Sequence, residues 1–382
     1  MKIDYIANVR IPTEKAHGLQ IMKMCEAWGA ENEVVLWAPK RFNYLNKDPF
    51  IFYNVNHNFI IHKVFCIDLM PFVNILGRLA FWIQNISFAK LVTLNILFRK
   101  QDIIFTRDFW SAYGLSLFGK KVTYEIHDSP NKNFITRHAF TKINKFIVTN
   151  YFKEQELIND FGIIQENILI AQNGVDINFF NTGKTKEECR KITSLPEDKK
   201  IILYSGHLYS WKGATVLLES AKKIHRNDVL TVFVGGTNED VVHFQSKAGF
   251  TEDVLILGHQ EYAKIPYYLG SADVLVLPNT AKEKISFYET SPIKLFEYMA
   301  SGKPIIASRI PSIMETVTEK EVIFFEPDNI DDLKNKILQV LDSLGEYDNI
   351  VKGARELVVN YSWESRANRI LNFIISPLSS RT

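Results

Sequence analysis

The sequence predicts an α/β protein made of two doubly wound halves of similar size, and three observations carry that prediction. Short β-branched runs alternate with longer amphipathic segments along the whole chain, the pattern of βα units around parallel sheets. Six strand-like runs fall in each half. A length of 382 residues, 46% of them hydrophobic, is enough for two separate cores.

In the first half the expected strands are 2–7, 33–37, 60–64, 102–106, 122–126 and 145–148. In the second they are 201–205, 230–234, 254–257, 274–277, 304–307 and 322–325. Residues 181–200 are charged and poor in large apolar side chains. That shift marks either the boundary or the first surface helix after it. Open α/β sheets bind ligands beyond the carboxyl ends of their strands, so two such sheets facing each other predict a cleft where the chemistry belongs.

Composition removes several function classes. The formal charge of +2 argues against a dedicated nucleic-acid binder. The three cysteines, Cys25, Cys66 and Cys189, are too far apart for a C-x-x-C pair and point to a reducing compartment. The most apolar stretch, 69–98, is interrupted by Arg78 and Lys90, leaving an uncharged run of 11 residues. A bilayer span needs about 20. The expected location is therefore cytoplasmic, with peripheral contact at the inner face of the plasma membrane.

Charge is unevenly spread: 12 Lys and Arg stand against 5 Asp and Glu from Lys63 to Lys145, around the aromatic stretch. Basic residues beside exposed apolar ones hold proteins on anionic leaflets. The same count also fits a solvated basic face over a helix packed into the core.

The most informative segment is Glu289-Thr-Ser-Pro-Ile-Lys-Leu-Phe-Glu-Tyr-Met-Ala-Ser-Gly-Lys-Pro304. Ser291 is the expected N-cap and Pro292 the first helical residue. Ile293, Phe296 and Met299 recur at helical spacing, and Gly302 and Pro304 stop the helix. A helix opening there aims backbone N–H groups and a positive dipole end at a bound phosphate. Lys294 opposes that dipole unless an anion sits nearby, and Glu289 and Glu297 suit sugar or ribose hydroxyls. A surface helix with scattered charges fits this segment equally well when it is taken alone. A second segment, Tyr204-Ser-Gly206-His207-Leu-Tyr-Ser-Trp-Lys212-Gly213, closes a strand with Gly and opens the next helix with Lys-Gly. It brings backbone and a cation to a ligand.

These residues resemble the retaining family-4 glycosyltransferases of GT-B fold. Glu289 and Glu297 form the Glu-x7-Glu element of that family. LYSGHLYSWKG is similar to its strand–Gly–Arg–Leu…Lys–Gly loop, and Asn173-Gly-Val-Asp176 to the turn before its second domain. VFVGG at 232–236, ILGHQ at 256–260 and SADVLVLPN at 271–279 match successive strand ends. Tyr361–Arg366 resembles the start of the C-terminal helix that crosses back. The resemblance implies an N-terminal acceptor domain at 1–175, a nucleotide-sugar domain at 176–361, and a helix at about 362–378 returning to the first. Glu125-Ile-His127-Asp128 is similar to the family's strand-end His, and Thr13–Gly18 stands where a glycine-rich first loop is expected.

The resemblance implies transfer of a sugar from a nucleotide-diphosphate donor to an acceptor hydroxyl with retention, by front-face displacement. Lys212, Lys294 and the backbone around Ser291, Pro292 and Ile293 would hold the diphosphate. Glu297 would bind ribose, Glu289 the donor sugar, and Gly258 would lie beside the base. Gly206 and His207 would border the diphosphate, with Gly18 near it or the acceptor, and His127 would approach the sugar. UDP or GDP is the expected nucleotide, a carbohydrate or lipid-linked molecule of envelope polysaccharide or glycolipid synthesis the acceptor.

Neither a cofactor nor a metal is expected: there is no Asp-x-Asp, no His-Glu-x-x-His and no G-x-G-x-x-G. Two departures stand out. His207 replaces the common Arg, and Gly18 stands alone where a glycine pair is usual. The alternatives are a weakly catalytic GT-B subunit that activates a partner, or a UDP-sugar epimerase or hydrolase.

Overall fold

The computed structural model describes residues 1–249 and 252–377. The chain divides into two compact units, one of Met1–Gln172 with the segment from Trp363 onward, the other of Asn173–Ser362. The division at 172/173 lies three residues before the position read from the sequence.

In the first unit, β1 (Lys2–Ile6), β2 (Glu33–Lys40), β3 (Ile60–Phe65), β4 (Ile103–Thr106), β5 (Val122–Ile126), β6 (Lys145–Val148) and β7 (Ile168–Ile170) form one sheet. Its order is β3-β2-β1-β4-β5-β6-β7, parallel throughout. The sequence reading found six of these strands and missed β7. That strand is three residues long, sits at the sheet edge and pairs only with β6, so it carries too little alternation to stand out.

The helix Trp363–Ile375 belongs to this unit. Its Arg366 guanidinium pairs with Glu125 on β5, both side chains 2% exposed, and the Trp28 indole donates to its Ala367 carbonyl at 3.1 Å. Two buried charges with one another as partner fix where this helix lies against the sheet.

The stretch 69–98 resolves into a short turn and the helix Arg78–Leu97, which buries Gln84, Phe88, Val92 and Ile96 against the unit's core. Among the described residues no helix is long and apolar enough to cross a membrane.

The second unit holds β8 (Lys200–Ser205), β9 (Val229–Val234), β10 (Val254–Ile256), β11 (Val274–Leu277), β12 (Ile305–Ser308) and β13 (Ile323–Phe325). Their order is β10-β9-β8-β11-β12-β13, again parallel. Strand alternation assigns the two cores. Ile201, Leu203, Leu275, Leu277 and Ile305 share one face, and Ile202, Tyr204, Val274, Val276 and Ile306 the other. Both faces are covered, which is why these strands read as continuous apolar runs.

The charged segment 181–200 is a surface helix inside this unit and not the boundary. Lys186–Thr193 opens with a Thr185–Glu188 capping box. Its Arg190 reaches Asp273 at 2.7 Å, and Asp273 also accepts from the Ile201 amide at 2.7 Å, pinning the start of β8.

Candidate active site

Strand order reverses between β8 and β11 in the second unit, and at such a switch point the loops diverge and leave a crevice. The segment after β8 begins at Gly206, turns through Ser210–Lys212, and enters the helix Ala214–Lys222 through Gly213. After β11 come Pro278 and Asn279, a π-helical turn Ile285–Glu289, and the helix Ile293–Ser301.

Gly213 holds these two segments together. Its φ is +71°, and a Cβ there would fall on the Pro278 carbonyl. Gly213→Ala is therefore expected to cost about 1–3 kcal/mol of stability. A thermal denaturation curve unchanged by the substitution would show that the contact is not made in solution.

Lys294, in the first turn of Ile293–Ser301, is the most unusual group here. It is 7% exposed, and its Nζ has no hydrogen-bond partner. The ammonium lies 4.0 Å above the Tyr204 ring and beside Gly206, where a side chain would crowd it. Burial and, second, the charge of Lys212 hold its pKa well below the ordinary lysine value, opposed only by Glu297. Lys212 is half-buried with its Nζ 3.8 Å from the Trp211 ring centre, and burial pulls its pKa down to about 8.

Two neighbouring lysines, one of them buried without a hydrogen-bond partner, form a site that an anion completes. The helix beneath them has neither a side-chain cap nor an acidic residue in its first turn, so its dipole adds to the same field.

One expectation is corrected. Pro292, with extended backbone, is the N-cap, and the helix starts at Ile293. Ser291 does not cap it because Asn173 engages it instead: the Asn173 amide donates to Ser291 Oγ at 3.3 Å, and Asn173 Nδ2 donates to the Ser291 carbonyl at 2.5 Å.

Glu297 is buried one turn deeper, its pKa raised to about 7 by burial against the pull of Lys294. Glu289 is half-buried and pairs with exposed Lys284 at 2.9 Å. His207 stacks on Tyr209 with ring centres 4.8 Å apart. Its Nδ1 is 4.0 Å from Asp240, and burial lowers its pKa. Gly258 closes the adjacent β10 loop at φ +65°, its carbonyl accepting from Gly235 at 2.7 Å.

The structure thus gathers Gly206, Lys212, Lys294 and Glu297. The sequence reading missed Tyr204 and Tyr298, which shape this crevice: Tyr204 lies under Lys294, and the Tyr298 hydroxyl accepts from the Ser205 amide at 2.8 Å. Tyr298 lies one residue beyond Glu297, and Tyr204 two before Gly206. Their signal was aromatic residues flanking the motif, indistinguishable from core.

His127 and Gly18 belong to the first unit. His127 Nε2 lies 3.1 Å from Glu125, while burial and Arg107 hold its pKa at about 3, so the imidazole is neutral. Gly18 is not in a loop. It lies within the helix Ala16–Gly29, where Tyr53 and Thr13 occupy the space a side chain would need, and that packing accounts for the glycine. Among the described residues no cluster of His, Cys, Asp and Glu is arranged to hold a metal ion.

Residues 185–357 match the model of Glycosyl transferases group 1. The chain is 27% identical over 230 residues to an uncharacterized glycosyltransferase of Methanocaldococcus jannaschii, covering 57% of this chain and 56% of that one. It is also 27% identical over 238 residues to the Escherichia coli UDP-Gal:alpha-D-GlcNAc-diphosphoundecaprenol alpha-1,3-galactosyltransferase, covering 59% and 58%. The aligned regions thus span little more than half the length of these relatives.

Among solved structures, Anabaena HepE in complex with UDP superposes with a TM-score of 0.73 at 16% identity, covering 97% of this chain and 99% of that one. Sucrose-phosphate synthase from Thermosynechococcus elongatus gives 0.76 at 16% identity, covering 97% of each. Over residues 185–357 the chain is thus similar to the glycosyl transferases group 1 family, and it has the GT-B fold of these solved structures.

Proposed function

We propose that the protein is a retaining glycosyltransferase that moves a sugar from a nucleoside-diphosphate donor, UDP- or GDP-linked, to an acceptor hydroxyl. The observation that carries this reading is the buried, unpartnered Lys294 ammonium beside Lys212 and Gly206 at the β8–β11 switch point. A diphosphate supplies the missing anion.

As the glycosidic bond to the donor breaks, negative charge grows on the departing diphosphate. Lys212, Lys294 and the helix opening at Ile293 are preorganised to stabilise it. The departing oxygen takes the proton of the incoming hydroxyl, so no separate base is required. Glu297 accepts from ribose hydroxyls, Glu289 from hydroxyls of the donor sugar, and neutral His127 offers a hydrogen bond at the strand end of the first unit. The reaction needs no metal in this reading. The acceptor is a carbohydrate or lipid-linked sugar of envelope polysaccharide or glycolipid synthesis, which fits the undecaprenol-linked substrate for which the E. coli relative is named.

The test is to incubate the protein with UDP- and GDP-sugars and lipid-linked or oligosaccharide acceptors and read product anomers by NMR. A product with the donor's anomeric configuration is expected. An inverted product, or donor consumption without any glycoside, would overturn the reading.

Two linked effects follow from the charges. A carboxylate accepting from ribose hydroxyls must be ionised, and Glu297 titrates at about 7. Nucleotide affinity is therefore expected to rise with pH up to and just beyond 7, and Glu297→Gln is expected to flatten the profile. An equally steep profile in that variant would remove Glu297 from the binding site. By the same linkage, calorimetry near pH 7 in buffers of different ionisation enthalpy is expected to show proton release on binding, lost in Glu297→Gln.

A further inference from the structure

The helix Arg78–Leu97 is apolar on two opposite faces, yet only one of them is covered. Gln84, Phe88, Val92 and Ile96 are buried. On the outer face Leu79, Trp82 and Ile86 are exposed at successive turns, with exposed Lys90 next in line. The seven residues before this helix, together with its first two, are all exposed, so every residue from 71 to 79 faces outward. Phe72 is 55% and Ile75 82% exposed. A helix hydrophobic all round is normally surrounded by apolar material, and a run of large apolar side chains this long is more than the scattered exposure of an ordinary surface.

We infer that this face seats the protein on an anionic phospholipid surface, with the 71–79 segment entering the acyl boundary. Charge selects that occupant. From 69 to 101 there is no Asp or Glu, while Arg78, Lys90 and Lys100 are exposed. Apolar insertion flanked by cations with no intervening acid is the composition of an interfacial helix. A second copy fits less well, because a two-fold interface would lay this face against itself, with basic residues on both sides and no Asp or Glu from 69 to 101 to pair with them. This surface lies in the first unit and is argued from residues that play no part in the nucleotide site.

The experiment is flotation of the full chain with vesicles of phosphatidylcholine plus phosphatidylglycerol, and with phosphatidylcholine alone, at ~0.1 M salt. Flotation with the anionic vesicles and little with the neutral ones is expected. Phe72→Ser with Ile75→Ser should weaken partitioning more than about tenfold, since each removes a buried apolar side chain. Arg78→Glu with Lys90→Glu should weaken it about tenfold or more. Melting curves check that the variants fold, and if the serine pair does not fold the charge pair decides alone. The inference is overturned if the wild type floats with neither vesicle or equally with both, or if folded variants float like the wild type. It is also overturned if the chain sediments as a dimer that Phe72→Ser with Ile75→Ser dissociates.

Discussion

Replacing Lys294 by Met is expected to lower turnover about 10²–10³-fold, the usual loss when one preorganised charge partner of a transition state is removed. The same change should raise the melting temperature of the nucleotide-free protein. Lys294 is buried with no hydrogen-bond partner and with a second lysine nearby. The folded state therefore holds its ammonium against both desolvation and repulsion. Methionine fills similar volume without that cost.

The sign with pH follows from the depressed pKa. A lysine whose folded value lies below 10.5 destabilises the fold in full at pH below that folded value. The penalty fades as pH rises toward 10.5. The stabilisation by Met should accordingly be largest at pH below that folded value and vanish above 10.5, and saturating nucleotide should cancel it by favouring the wild type. Paired melting curves and steady-state rates check both halves. Loss of activity together with loss of stability would mean that Lys294 is a structural residue.

The second large effect concerns the Glu125–Arg366 pair. Arg366→Ala is expected to cost about 3–5 kcal/mol, because it leaves the Glu125 carboxylate buried without its main compensating charge. At about 2–4 °C per kcal/mol for a unit of this size, the melting temperature should drop by roughly ten degrees. The double replacement Glu125→Met with Arg366→Met should recover most of that loss, since no orphaned charge remains.

Although burial opposes its ionisation, Arg366 and then His127 and Arg107 hold the Glu125 carboxyl well below the ordinary 4.5. Its contribution is thus complete above that value and is lost as pH falls through the lower folded value. Acid unfolding of the wild type should show this loss, and that of the double variant should not. A double variant as unstable as Arg366→Ala would show that the pair does more than satisfy itself.

How much of this was legible in the chain depends on how locally each feature is encoded. Strands such as Val122–Ile126 and Val274–Leu277 are buried on both faces, so their apolar runs stand out and their limits match the expectation. The edge strand Ile168–Ile170 did not, being too short to show a period. Segment 181–200 read as a boundary or a surface helix from composition alone, and only Arg190 meeting Asp273 places it inside the second unit.

The site was legible as a motif and not as chemistry. Glu289 through Pro304 named Lys294 and Glu297, but that one is unpartnered and the other titrates near 7 depends on Tyr204, Gly206 and Lys212 arriving from β8. The misplaced N-cap has the same origin: Ser291 was free to cap in one dimension, and Asn173 takes it in three. Gly18 read as a loop glycine because Tyr53, 35 positions away, cannot be seen beside it in the sequence.

The most direct test of the nucleotide site is isothermal calorimetry of the wild type and Glu297→Ala with UDP, GDP and ADP in metal-free buffer. Binding of one nucleotide by the wild type, weakened by the substitution, is the predicted result. No heat with any of the three nucleotides, or equal affinity in the two proteins, would contradict the assignment of Lys294, Lys212 and Glu297 to a nucleotide-diphosphate donor.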